Sequence, residues 1–108
     1  MKTAIRSQRG MTIIDVTGDI DMGTSPGLRR TLLESLKETP RLIVNLSGVR
    51  YVDSSGIATL VEVLKEARNT QKRLVLFGLN KGVHEVLQLT RLSKVFEIRG
   101  TEQEALEA

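Results

Sequence analysis

Four consecutive residues, Asp53-Ser54-Ser55-Gly56, bring a carboxylate and two hydroxyls into one short segment. Polar groups placed together in this way can form part of a functional surface. The same residue types also close off the free N–H groups at the start of a helix. Gly56 fits capping less well, because a glycine in a helix costs about 1 kcal/mol relative to alanine. Its presence makes sense where something must approach the backbone closely. Helix cap and functional surface both remain open on these residues alone.

Other chemistry finds less support. The single histidine, His84, lies between Val83 and Glu85 in a helical pattern, with no marked nucleophile or orienting partner. Asp19 and Asp21 share a face only if the strand before them continues that far; otherwise they serve turn chemistry. There is no cysteine, so thiolate metal sites and disulfides are excluded, and one histidine makes no metal site. Gly78, Gly82 and Gly100 stand singly and form no phosphate-binding pattern. No catalytic residue, metal site or cofactor is expected, and the chain is not expected to be an enzyme.

The elements that must position the Asp53 segment are legible. Thr3–Ser7 and Met11–Ile20 read as strands joined by a hairpin at Gln8-Arg9-Gly10. Thr24 or Ser25 caps a helix with Pro26 in its first turn and Leu28, Leu32, Leu33 and Leu36 on its apolar side, ending before Pro40. Leu42–Leu46 is apolar without alternation, the mark of a strand covered on both faces. A loop over Ser47–Val52 leads to a second helix, capped by Asp53 or Ser54 and running to about Thr70 through Ile57, Leu60, Val61, Leu64 and Ala67. Leu74–Phe77 repeats the buried-strand signal, Lys81–Thr90 reads as a helix, and Val95–Ile98 as a last strand. Thr101 with Glu104 forms a capping box for a final helix. The expected fold is α/β: one domain over 1–108, a mostly parallel mixed sheet with an N-terminal antiparallel hairpin and about four helices.

Composition narrows the partners. The chain has 108 residues, 40% hydrophobic and 27% charged, with a net charge of +3. The basic residues are spread thinly, and Tyr51, Phe77 and Phe96 offer no stacking platform, so no nucleic-acid partner is expected. Met1–Arg6 is too polar for a signal peptide, and no run approaches the ~18 apolar residues of a membrane span. A cytoplasmic protein without membrane insertion is expected.

Asp53-Ser54-Ser55-Gly56, preceded by Val44-Asn45-Leu46-Ser47-Gly48-Val49 and followed by a Leu/Val-rich helix, resembles the signature of the STAS family, specifically the bacterial anti-sigma factor antagonists. Gly18-Asp19-Ile20-Asp21 with Thr24 is similar to the family's early strand end, and Leu89–Phe96 with Thr101-Glu102 to its C-terminal pattern. The motif departs conservatively where the family often has Gly-Leu-Gly and this chain has Gly56-Ile57-Ala58.

The resemblance implies a switch. Ser54 would be phosphorylated by an anti-sigma factor with serine kinase activity, and a metal-dependent serine phosphatase would reset it. The unmodified form would bind the kinase and free the sigma factor. Asp53, Ser54, Ser55 and Gly56 would meet the partner, with Asp21 and Thr24 beside them. By periodicity, Ala58, Thr59, Glu62 and Lys65 would extend the docking face along the exposed side of the helix. STAS domains also serve as subunits of lipid-transport ABC systems and in stress-signalling scaffolds, the alternative that the resemblance leaves open.

Overall fold

Arg9 and Gly10 both adopt positive φ, 53° and 77°, in the computed structural model, which describes residues 1–108. Two successive left-handed residues make the tight turn whose twist suits an antiparallel pair. They join Lys2–Gln8 (β1) to Met11–Thr17 (β2), with Gln8 opposite Met11. The chain continues through Ser25–Leu36 (α1), Arg41–Gly48 (β3), Ser54–Asn69 (α2), Arg73–Phe77 (β4), Lys81–Leu89 (α3), Glu97–Arg99 (β5) and Glu102–Glu107 (α4). After the hairpin every strand pairs in parallel with the one before it, giving the sheet order β1-β2-β3-β4-β5. No helix is long and apolar enough to cross a membrane.

The two faces of the sheet are covered unequally. Ile14, Val16, Leu42, Val44, Leu46, Leu74 and Leu76 pack against α1, α2 and α3 in the main core. Ile13, Ile43, Val75 and Phe77 point to the other side, where Ala105 and Leu106 of α4 join them in a smaller cluster flanked by Met11 and Ala108. Strand β3 is therefore buried on both sides, which is why its sequence lacks alternation. Polar groups fasten α4: Arg41 Nη1 donates to Leu106 O at 2.6 Å and Ala105 O at 3.3 Å. Arg6 joins Glu102 of α4 to Asp15 of β2, reaching Asp15 through Nε at 2.7 Å and Nη2 at 3.0 Å.

Three boundaries differ from the sequence reading. Strand β2 ends at Thr17 rather than Ile20, because its register against β3 shifts between Asp15 and Thr17 and Gly18 turns to φ 95°. Ile20 survives as a single parallel bridge to Val52. Strand β3 runs on through Ser47 and Gly48, which shortens the loop before α2. The last strand is Glu97–Arg99, not Val95–Ile98, since the Val95 and Phe96 N–H groups bond back to Leu92 O and close the turn after α3. Phe96 is buried in the main core from that turn.

Candidate functional site

In this sheet the carboxyl ends of the parallel strands gather the loops that carry the Asp53 segment. The β2–α1 and β3–α2 loops are stitched together by main-chain bonds: Gly18 N to Gly48 O at 3.0 Å, Ile20 N to Tyr51 O at 2.9 Å and Asp53 N to Ile20 O at 3.0 Å. Asp53 leaves this seam in an extended conformation and becomes the N-cap of α2. Its Oδ1 accepts from Ser55 N at 2.9 Å, Gly56 N at 3.0 Å and Ser55 Oγ at 2.5 Å. The Ser55 hydroxyl, followed by the Gly56 N–H, holds the Asp53 carboxyl below the usual carboxylate range.

The two serines differ sharply. Ser54 opens α2, is exposed, and its hydroxyl has no hydrogen bond within the protein. Ser55 is half-buried, and its Oγ lies 3.1 Å from that of Ser25, a buried residue of α1, besides donating to Asp53. Of the two, only Ser54 offers a hydroxyl free to react.

Gly56 has a structural explanation. A Cβ there would stand 2.7 Å from both Ile20 Cγ2 and Val52 Cγ1, and 3.2 Å from Ile20 O. The close approach expected of this glycine is real, but the chain's own Ile20–Val52 bridge makes it. Gly56 is buried, so it supports the site from beneath instead of offering a contact surface.

Asp21 and Thr24 shape the neighbouring loop. Asp21 Oδ1 accepts from Gly23 N at 3.0 Å and Thr24 N at 3.1 Å. Thr24 Oγ1 accepts from Asp21 N at 2.9 Å and stands 3.0 Å from Asp19 O. Thr24 thus occupies the N-cap position of α1 without a side-chain cap bond, because its hydroxyl turns back into the loop. Asp19, Asp21 and Asp53 form no metal-ligating group.

Along α2, Ala58, Glu62 and Lys65 are exposed as expected, but Thr59 is not. Thr59 is only 6% accessible, because it lies one turn beyond Ser55 on the stripe that faces α1. Glu62 instead pairs across the helices with Arg29, which holds the Glu62 carboxyl below its ordinary value. Beside the site, Ser55, Ala58 and Thr59 line a groove with Met22, Pro26 and Arg29 of the α1 side. Met22 and Tyr51, 78% and 55% exposed, are carried on the two stitched loops. Neither was singled out from sequence; large apolar side chains in loops at strand ends were the available signal.

The chain is 37% identical over 92 residues to the anti-sigma-B factor antagonist of Listeria monocytogenes, covering 84% of this chain and 81% of that protein. A crystal structure of an anti-sigma factor antagonist from Mycobacterium paratuberculosis superposes with a TM-score of 0.88 at 25% identity, covering 98% and 91% of the two chains. The fold is shared with the phosphorylated form of the Bacillus cell fate determinant SpoIIAA, with a TM-score of 0.74, 19% identity, and coverage of 98% and 97%. A family model described as the STAS domain matches residues 2–105, and the chain therefore belongs to the STAS domain family.

Proposed function

We propose that this protein is a cytoplasmic anti-sigma factor antagonist whose binding is switched by phosphorylation of Ser54. The observation that carries the reading is the contrast at the start of α2: an exposed, unbonded Ser54 hydroxyl beside a Ser55 hydroxyl committed to Asp53 and Ser25. The names of its relatives give the partner class, an anti-sigma factor. In this mechanism the partner is also a serine kinase. Ser54 Oγ attacks the γ-phosphorus of ATP held by the kinase, the bond to the ADP oxygen breaks, and the hydroxyl proton passes to a base of the kinase. A metal-dependent serine phosphatase returns the hydroxyl by hydrolysis. The protein is substrate and ligand in both steps, never catalyst.

The phosphate must also be compatible with the fold. A phosphate at Ser54 finds the favourable field of the α2 N-terminus, but Asp53 already occupies the N–H groups of Ser55 and Gly56. The modified side chain therefore projects into water, and the fold tolerates it because nothing covers Ser54. It carries about −1.5 to −2 charges at neutral pH. Against one partner carboxylate at roughly 6–10 Å and an effective dielectric near 20, repulsion is about 3–5 kcal/mol before screening. Even a third of that weakens binding several-fold. Release then requires no change of shape.

The test is capture from a host lysate with the unmodified, Ser54→Ala and Ser54→Asp proteins as bait. The first two should retain a serine kinase that the Asp form releases. Capture of one transport ATPase or scaffold by all three would overturn the switch in favour of a constitutive subunit.

A further inference from the structure

The end of the sheet opposite Ser54 carries a rim of cations. Because β2 to β5 are parallel, the hairpin and the three turns that feed β3, β4 and β5 all lie at that end, in the order of the strands. Arg9 stands in the first, Lys37 in the second, Lys72 in the third, and Arg91 and Lys94 in the fourth. With neighbouring strands ~4.8 Å apart, these turns span roughly 20 Å from one sheet edge to the other. The acids there are Glu34 and Glu38 by the end of α1, Glu66 beside Lys37 and Lys72, Glu107 at the end of α4, and Glu97, which Arg73 and Arg99 hold. Arg41, Arg68, Arg73 and Arg99 stand with the rim cations, which therefore outnumber the acids.

Stabilisation of the fold accounts for only part of this charge. Lys72 Nζ donates to Leu36 O at 2.6 Å and so caps α1, and Lys37 sits favourably at the same helix end. Arg9 adjoins no helix end, and Arg9, Lys37, Arg91 and Lys94 are exposed with no side-chain partner. Arg9 and Arg91 also adopt φ 53° and 61°, a left-handed conformation that glycine or asparagine takes with less strain. Leu89, 84% exposed, and Val95, 38% exposed, flank Arg91 and Lys94. Cations strung along one edge suit a planar anionic surface better than a groove, and the adjacent leucine suits one with an apolar interior.

We propose that this rim, from Arg9 to Lys94 with Leu89 at its edge, docks peripherally on an anionic lipid bilayer. The surface is independent of the Ser54 reading, since the two lie at opposite ends of the strands and either can fail alone. The experiment is flotation of the full chain with vesicles of equal phosphatidylglycerol and phosphatidylcholine, against phosphatidylcholine alone, at 0.1 M salt. Binding is expected only to the anionic vesicles. Arg9→Asn with Arg91→Gly should weaken it about thirty-fold while leaving the melting temperature equal or higher. Leu89→Ser should weaken it by about five-fold. Absence of binding, equal binding to both vesicles, or undiminished binding by the double variant would overturn the proposal. Tighter binding to a DNA duplex or to polyglutamate, unaffected by Leu89→Ser, would overturn it in favour of a polyanion site.

Discussion

The hydroxyl oxygens of Ser25 and Ser55 stand 3.1 Å apart and join the first turn of α1 to the first turn of α2. Ser25 Oγ also donates to Asp21 O at 2.6 Å, and Ser55 Oγ to Asp53 Oδ1 at 2.5 Å. With the Ser55 proton committed to the Asp53 carboxylate, the single Ser25 proton is shared between Asp21 O and Ser55 Oγ. That commitment ties both loops to one cap and leaves Ser54 as the exposed hydroxyl without a partner in the protein.

The serines should therefore separate cleanly. Ser54→Ala is expected to change stability by less than about 0.5 kcal/mol and to abolish phosphate incorporation by the cognate kinase. Ser55→Ala should cost about 1 kcal/mol yet still accept phosphate. Urea unfolding together with site mapping of the phosphorylated protein checks both, and equal labelling of Ser54→Ala would refute the assignment.

Gly56→Ala should destabilise the domain despite alanine's better helix propensity. The added Cβ meets Ile20 and Val52 at 2.7 Å, and overpacking of that kind costs about 1–3 kcal/mol against a gain of about 1 kcal/mol. A lowered urea midpoint with an unchanged slope is expected; a raised midpoint would mean that the loops yield easily.

Acid should loosen the site through Asp53. Its folded pKa lies below the unfolded value of about 3.9. Its contribution is therefore complete above that value and is lost as the pH falls through the folded pKa. Asp15 and Glu102, both held low by Arg6, act in the same direction. Asp53→Asn should be less stable than the parent at pH 7, with the gap narrowing below about pH 4. A gap that stayed constant down to pH 2 would contradict this.

Helix α4 has six residues, too few to persist alone. Arg41→Ala removes the guanidinium bonded to two of its last carbonyls and should cost about 1–2 kcal/mol. Amide exchange should quicken in α4 and β5 while α2 keeps its protection.

What the sequence disclosed depends on how local each cause is. The Asp53 cap, the α2 stripe through Leu60 and Leu64, and the doubly buried β3 are written in neighbouring residues, and the structure has them where expected. The end of β2 is set by a register shift against another strand, which no local pattern records. Phe96 is apolar because a turn delivers it to the core, and that mimicked a strand. Periodicity placed Ala58, Glu62 and Lys65 correctly on the exposed side of α2 but wrongly put Thr59 with them, because it does not record that α1 covers that position. The reason for Gly56 was visible only once Ile20 and Val52 had been brought together from either side.

The main-chain seam between Gly18–Ile20 and Gly48–Asp53 has a consequence for recognition. Under the proposed switch, Ser54 would be presented on a surface assembled from two segments distant in sequence, not on a pliable strand that a kinase could draw out. A peptide covering only residues 48–60 would lack half of that platform and should be a poor substrate. Phosphate incorporation would then report the fraction of molecules correctly folded.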